Sequence, residues 1–456
     1  MPPRSSRSFA GLLGPSLLCA FALDATSAQA TQAAPSVWAP SIVAAPTVSL
    51  RPTGRPLGEG SVIHSSLRPQ SRPDGTQGVP DASLAAGFRS WLVAFRSRAR
   101  AAGIASQVLD QALSDLTFDP DIIRNDGNQS EFVTPIWTYL DRAVSADRIA
   151  TGQAALRDYN ATLQRIEATY GVDKEVVVAV WGMESNFGSF RGNREVIRSL
   201  ATLAFEGRRA EFFESQLIAA LRILQAGDVR PEDMTGSWAG AMGHTQFMPT
   251  SYLDYAVDFT GDGRRDIWSD DPTDALASTA AYLQKFGWEK DRPWGLEVRV
   301  PAGFDYALAE RTQIKSAREW RRLGLTTALG NRLPNHGKAA LLLPAGANGP
   351  AFLVYKNFAV IERYNAADAY VIGVGHLSDR IKGAGPFAGD WPLGSRPLTR
   401  SERKELQQRL SSSGFDTGGI DGRVGPRTRA AVRAFQLASG LIPDGYPSHA
   451  VLERLR

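Results

Sequence analysis

The run Val176-Val177-Val178-Ala179-Val180-Trp181-Gly182-Met183, closed by Glu184, constrains the fold more than any other stretch of the chain. A helix that is apolar all round has to lie inside other elements. Residues 173–183 therefore predict a helix at the centre of a sizeable core. The chain has room for one, since 456 residues allow two to four domains. Its 43% hydrophobic and 21% charged residues exclude a mostly disordered, collagen-like or multi-span membrane chain.

Helical spacing also appears at Leu84, Phe88, Trp91, Leu92 and Phe95, and over residues 132–143, 151–170, 211–226 and 274–286. Strand-like runs near 296–300 and 351–354 do not alternate with helices as a doubly wound sheet requires. The expectation is a mainly α domain over residues 83–390, ending where Gly383, Gly385, Pro386, Gly389 and Pro392 cluster. Residues 397–456 read as a separate three-helix module. Thr399 with Glu402 forms a capping box, Leu406 and Leu410 begin an apolar stripe, and a second helix carries Ala430, Ala431, Ala434, Phe435 and Leu437. The module holds ten basic and six acidic residues, a difference that equals the whole chain's net +4. That excess is too small to argue for nucleic acid.

Residues 1–30 carry Arg4 and Arg7, an apolar stretch and Ala28-Gln29-Ala30, the pattern of a secretory signal cleaved after Ala30. Gly14, Pro15 and Asp24 leave the apolar run too short for a membrane anchor. Leu18 precedes Cys19 where a lipid-attachment site needs a small residue, so an exported periplasmic protein without a lipid anchor or stable membrane insertion is expected. Cys19 is the only cysteine, which leaves the mature chain without disulfides, thiolate metal sites or a cysteine nucleophile. The five histidines show no zinc-hydrolase spacing. Residues 31–82, rich in Pro, Ala, Ser and Gly, read as a disordered tether.

Chemistry is suggested at four places. Glu184 stands at the exit of the buried helix, where desolvation raises a carboxyl pKa and lets it hold a proton for a leaving oxygen. A glutamate that merely ends a core helix and reaches solvent or an arginine fits the same pattern. The segment Gly240-Ala241-Met242-Gly243-His244-Thr245-Gln246-Phe247-Met248-Pro249-Thr250-Ser251 permits close backbone approach and offers Gln246 as donor and acceptor, or is simply a tightly packed helix. Residues 258–268 begin like a calcium loop, with oxygen side chains at positions 1, 3 and 5 and Gly263 at position 6. Position 12 is Ser269, so a closing carboxylate has to come from Asp270, Asp271 or Asp274; a metal-free turn rich in aspartate is the alternative. Trp137, Tyr139, Tyr282, Tyr364, Asn365 and Tyr370 suit either a carbohydrate cleft or plain core packing.

Together, Glu184-Ser185-Asn186-Phe187-Gly188, the 240–251 segment, the 258–268 loop and Tyr364-Asn365 resemble, in order, the lytic murein transglycosylase B family over residues 83–390. The tail resembles the peptidoglycan-binding module through Leu406-Gln407, Asp421-Gly422, Gly425-Pro426-x-Thr428, Phe435-Gln436 and Asp444-Gly445. The resemblance implies a lysozyme-like domain with a small EF-hand-like calcium loop, acting on peptidoglycan glycan strands as a monomer. It implies that Glu184 protonates the MurNAc–GlcNAc glycosidic oxygen and then takes the proton of the MurNAc C6 hydroxyl, with the acetamido oxygen assisting, to give a 1,6-anhydro sugar without water. It carries Tyr139, Ser237, Gln246, Tyr282, Tyr364, Asn365 and Tyr370 over as residues that orient Glu184 or line sugar subsites. Asp258, Thr260, Asp262, the Arg264 carbonyl and Asp274 are carried over as ligands of a structural calcium ion, with no cofactor needed for the chemistry. Extra residues around Ser269-Asp270-Asp271 depart from the family's loop. From the residues alone, a hydrolytic muramidase, a non-catalytic wall-binding scaffold and a calcium-regulated binding protein stay open.

Overall fold

The computed structural model describes residues 82–128 and 134–456. The expected signal, Cys19, the tether up to residue 81 and Phe132 lie outside the described residues. The fold is mainly helical, with seventeen α-helices among the described residues.

At its centre is the helix Lys174–Ser185, in which every residue from Val176 to Gly182 is buried. Three consecutive valines are poor helix formers by themselves, so this helix is held by packing rather than propensity. Helices Ala146–Asp158, Asn160–Tyr170, Thr273–Lys285 and Asp368–Ile381 surround it. At roughly 1.5–3 kcal/mol for each buried valine-sized side chain, the stretch is a major contributor to the core. The helix ends on Asn186 and Phe187, both left-handed at φ 49° and 57°. Asn tolerates that conformation, whereas Phe187 is strained in it. Its ring is seated against Gly182, where an added Cβ would come within 2.6 Å of it.

The spacing over 151–170 predicts one helix, and there are two, Ala146–Asp158 and Asn160–Tyr170, parted at Tyr159. The Tyr159 ring packs edge-on against Trp181 of the central helix at 5.5 Å, which fixes the break. The first helix, Ala82–Ala101, buries Phe88, Leu92 and Phe95 as its spacing predicts, but leaves Leu84 44% exposed.

A second layer was only half visible in the sequence. Five antiparallel strands run in the order Lys315–Ser316, Lys338–Leu342, Ala351–Val354, Gly295–Arg299, Thr326–Thr327. Leu353 pairs with Leu341 on one side and Leu296 on the other. Ala340, Leu342, Phe352 and Val354 join the helical core, while Ala339, Leu341, Ala351 and Leu353 join a second core with Phe304, Trp320, Leu325 and Leu333. The sheet is thus buried on both faces at its middle, which is why Ala339–Leu342 and Ala351–Val354 are continuous apolar runs.

The C-terminal helices Arg400–Ser412, Pro426–Ala438 and His449–Leu455 share a third core of Leu398, Leu406, Leu410, Ala431, Val432, Phe435, Val451 and Leu452. Thr399 and Glu402 form the expected capping box. Of the residues read into the second helix, Leu437 is 71% exposed, because Val432 and Phe435 take the inward positions. Two glutamines clasp the loops. Gln407 donates to Asp421 Oδ1 at 3.1 Å and accepts from Gly422 N, and Gln436 donates to Asp444 Oδ1 at 2.7 Å and accepts from Gly445 N.

Candidate active site

Glu184 sits in the last turn of the central helix and is only 8% exposed. It does not reach solvent or an arginine. The Tyr370 hydroxyl, from helix Asp368–Ile381, donates to its Oε1 at 2.5 Å. Burial pushes the carboxyl up to about 7, opposed by the Tyr370 hydrogen bond, which favours the charged form. A carboxyl so placed is a proton donor near neutral pH with no ionic partner to hold it charged.

Tyr364 ends helix Lys356–Tyr364, half-buried, and its hydroxyl donates to Thr245 O at 2.5 Å. The charge of Glu184 is close enough to help push the phenol of Tyr364 upward, after burial. Asn365 follows at the end of the same helix and accepts from Ala367 N through its side chain at 3.1 Å. Tyr139 lies in helix Ile136–Ala143, near Gly373 of the helix that carries Tyr370. Tyr139, Tyr364 and Tyr370 share one corner with Glu184. Tyr282 is buried behind them: its ring meets Tyr364 at 5.0 Å and Phe286 at 4.7 Å, and its hydroxyl donates to Arg363 O at 2.6 Å. The hydroxyl protons of Tyr282 and Tyr364 are thus committed to backbone oxygens.

The segment 240–251 is not one helix. It folds as a tight loop, with Met242 and Phe247 bonded through both backbone groups, before a short helix Pro249–Tyr255. Ser237 Oγ accepts from Ala241 N at 3.0 Å. Gln246, at φ 53°, donates to Gly243 O at 2.8 Å and Arg191 O at 3.0 Å. Neither hydrogen-bonds Glu184; both shape the loop whose Thr245 carbonyl receives Tyr364.

Sequence reasoning missed the residues that join this loop to the helix that carries Glu184. Ser185 Oγ donates to His244 O at 2.5 Å and accepts from Gly188 N at 2.9 Å. Trp181 Nε1 donates to His244 Nδ1 at 3.1 Å, so His244 Nε2 carries the hydrogen that reaches Ser269 O at 2.7 Å. Burial lowers the His244 pKa, in keeping with a neutral ring used as a strut. Arg191 adds bonds to Trp268 O and Ser269 O and an ion pair to Asp270 at 2.8 Å. A single histidine in a small-residue stretch gave no signal for this role.

In the 258–274 region, carboxylate oxygens of Asp258, Asp262 and Asp274 lie within 4.8 Å of one another. Asp274, 2% exposed in the first turn of its helix, accepts from Phe259 N, Thr260 N and Asp266 N. Its pKa is raised, first by burial and also by Asp258. Thr260 Oγ1 bonds Asp258, and Arg264 N bonds Asp262 Oδ1. The extra residues turn away: Asp270 goes to Arg191, and Asp271 accepts from Thr273 N and Oγ1. Of the three candidate closing carboxylates, Asp274 is the one that meets the loop. Three clustered carboxylates with hard oxygen donors on alternate residues fit calcium in charge and chemistry.

Residues 87–379 match the Transglycosylase SLT domain family, and residues 399–455 match a peptidoglycan binding domain family. The membrane-bound lytic murein transglycosylase B of Escherichia coli (strain K12) is 36% identical over 247 residues, 53% of this chain and 66% of that protein, just under two thirds of its length. SltB3 from Pseudomonas aeruginosa, solved in complex with NAG-anhNAM-pentapeptide, is 52% identical over 81% of this chain and 99% of that one, with a TM-score of 0.79. The Escherichia coli lytic transglycosylase SLT35, solved in complex with calcium, is 30% identical over 66% of this chain and 92% of that one, with a TM-score of 0.55.

Proposed function

The chain belongs to the SLT-domain lytic transglycosylases of peptidoglycan, and from that premise we propose that it cleaves the MurNAc–GlcNAc β-1,4 bond without water, with Glu184 as acid and then base. The observation that carries the reading is the buried carboxyl of Glu184, held near 7 and bonded by the neutral Tyr370 hydroxyl. Glycosidases of the usual kind need two carboxyl groups flanking the bond, and substrate-assisted enzymes are the exception. With Tyr370 on Oε1, the other oxygen of Glu184 carries the proton to the leaving GlcNAc oxygen. The MurNAc acetamido oxygen supports the cation at C1. The carboxylate formed, stabilised by the Tyr370 hydroxyl, then takes the proton of the MurNAc C6 hydroxyl as that oxygen closes on C1. The proton given in the first half is regained in the second, and the product ends in 1,6-anhydro-MurNAc. Positioned proton transfer of this kind contributes roughly 10²–10⁴-fold.

In this reading Tyr139, Tyr364 and Asn365 line the sugar subsites beside Glu184, Tyr282 backs Tyr364, and Ser237 and Gln246 fix the facing loop. Asp258, Thr260, Asp262, the Arg264 carbonyl and Asp274 would hold a structural calcium ion that stiffens the loop leading into helix Thr273–Lys285. The pattern of residues 1–30 supports export to the periplasm, with residues 31–82 as a tether, 83–390 as the catalytic domain and 397–456 as the wall-binding module. No helix among the described residues is long and apolar enough to cross a membrane. The test is Glu184→Gln on purified murein sacculi: the variant is expected to sediment with sacculi like the unaltered protein and release no soluble fragments. Continued release by the variant would show that another group is the acid.

A further inference from the structure

We propose that the C-terminal module does more than anchor the enzyme: through the adjacent residues Glu310 and Arg311 it steadies the corner that carries Tyr370, which makes Arg311 a positioning residue for Glu184. The inference rests on the reading of Glu184 as the acid. On one side, Glu310 accepts from Arg433 Nη2 at 2.9 Å and Arg429 Nη2 at 3.4 Å, both on the module's helix Pro426–Ala438. The Glu310 and Arg433 side chains are 21% and 17% exposed, so the contact is largely enclosed rather than a surface pairing. A second contact supports the docking: Asp444 Oδ2 of the module accepts from Ala347 N at 2.8 Å, while its Oδ1 serves Gln436.

On the other side, Arg311 forks between Glu362 of helix Lys356–Tyr364 and Asp368, the first residue of helix Asp368–Ile381. Its guanidinium also lies 5.0 Å from the Phe358 ring. The forked cation therefore spans the turn between the two helices, the same turn that presents Tyr364, Asn365 and, two residues beyond Asp368, Tyr370. A planar guanidinium held by two carboxylates sets direction as well as distance. The two ends meet in one dipeptide, so a shift of the module is passed along the backbone to the residue that aims the Glu184 carboxyl. A module joined only by a flexible linker would raise local concentration on the wall and leave the chemical step untouched.

The test compares the full mature chain with Glu310→Gln, Arg433→Gln, Arg311→Met and the charge swap Glu310→Arg with Arg433→Glu, on sacculi and on a soluble four-sugar NAG-NAM-pentapeptide glycan. On the soluble glycan, kcat is expected to fall roughly 3- to 30-fold in Glu310→Gln and Arg433→Gln, and further in Arg311→Met, with KM within about twofold, as misplacement of a catalytic group from a distance does. The swap is expected to recover part of the loss, the remainder reflecting Arg429, which still faces position 310, and a merely unfolded variant could recover none. Unchanged kcat on the soluble glycan in Glu310→Gln and Arg433→Gln, with losses confined to KM on sacculi, overturns the proposal and leaves the module as an anchor. An unaltered chain that releases no fragments, anhydro or reducing, from either substrate, or a Glu184→Gln variant that still releases them, sinks the Glu184 reading itself, and this inference with it.

Discussion

Glu184 shows what a sequence can and cannot say about one residue. Its place at the end of an apolar helix was legible, but whether it met solvent, an arginine or a neutral donor depended on Tyr370, 186 residues away. The outcome has a thermodynamic consequence. The carboxyl rises from 4.5 to about 7 on folding, so the native state binds the extra proton between those values. Stability from this group is fully present below about 4.5 and is lost as pH rises through about 7, a cost of about 3 kcal/mol at high pH. Glu184→Gln, which is neutral throughout, is expected to melt above the unaltered protein at pH 8 and near it at pH 4.5. A calorimetric melting series across that range checks this, and parallel curves for the two proteins would mean the carboxyl is not desolvated. The same titration makes the acid form scarce above pH 7, so kcat/KM on a soluble glycan is expected to fall there. His244 and Ser185 mark the limit of residue-level reading: they act through hydrogen bonds that no spacing rule encodes.

At the scale of elements, periodicity found the central helix, the first helix and the module because each is long or strongly patterned. It missed the helix Asp368–Ile381, where Val371-Ile372-Gly373-Val374-Gly375 reads as a poor helix, two glycines costing roughly 1 kcal/mol each. Packing overrides the propensity: an added Cβ at Gly375 would come within 2.4 Å of the Trp294 ring. Strands Lys315–Ser316 and Thr326–Thr327 are too short to show any alternation, and Lys338–Leu342, buried on both faces, has none to show. The turn after Glu184 offers an element-scale prediction. Gly182→Ala places a methyl where the Phe187 ring lies, and overpacking of this kind costs about 2 kcal/mol. A lower urea midpoint is expected, partly restored by Phe187→Leu in the same chain. An unchanged midpoint would show that Phe187 is not wedged against the helix.

At the scale of the whole molecule, three cores were foreseeable as two domains, because the sheet's second core is built from residues whose strands left little trace. The 258–274 loop belongs at this scale, since Asp274 ties it to a helix that packs on the one carrying Glu184. If the carboxylate cluster holds calcium, the ion at about 100 times its dissociation constant should add about 2.7 kcal/mol of stability. The melting temperature is then expected to rise with calcium, fall with a chelator, and lose that response in Asp274→Asn. No response in the unaltered protein would mean a metal-free turn. The central claim, that one carboxyl performs both proton transfers while water is kept out, is read most directly in the products. Mass spectrometry of soluble fragments released from sacculi, beside the Glu184→Gln control, should find muropeptides one water lighter than their reducing counterparts and none from the control. Reducing ends from the unaltered protein would contradict the account and make the enzyme a muramidase.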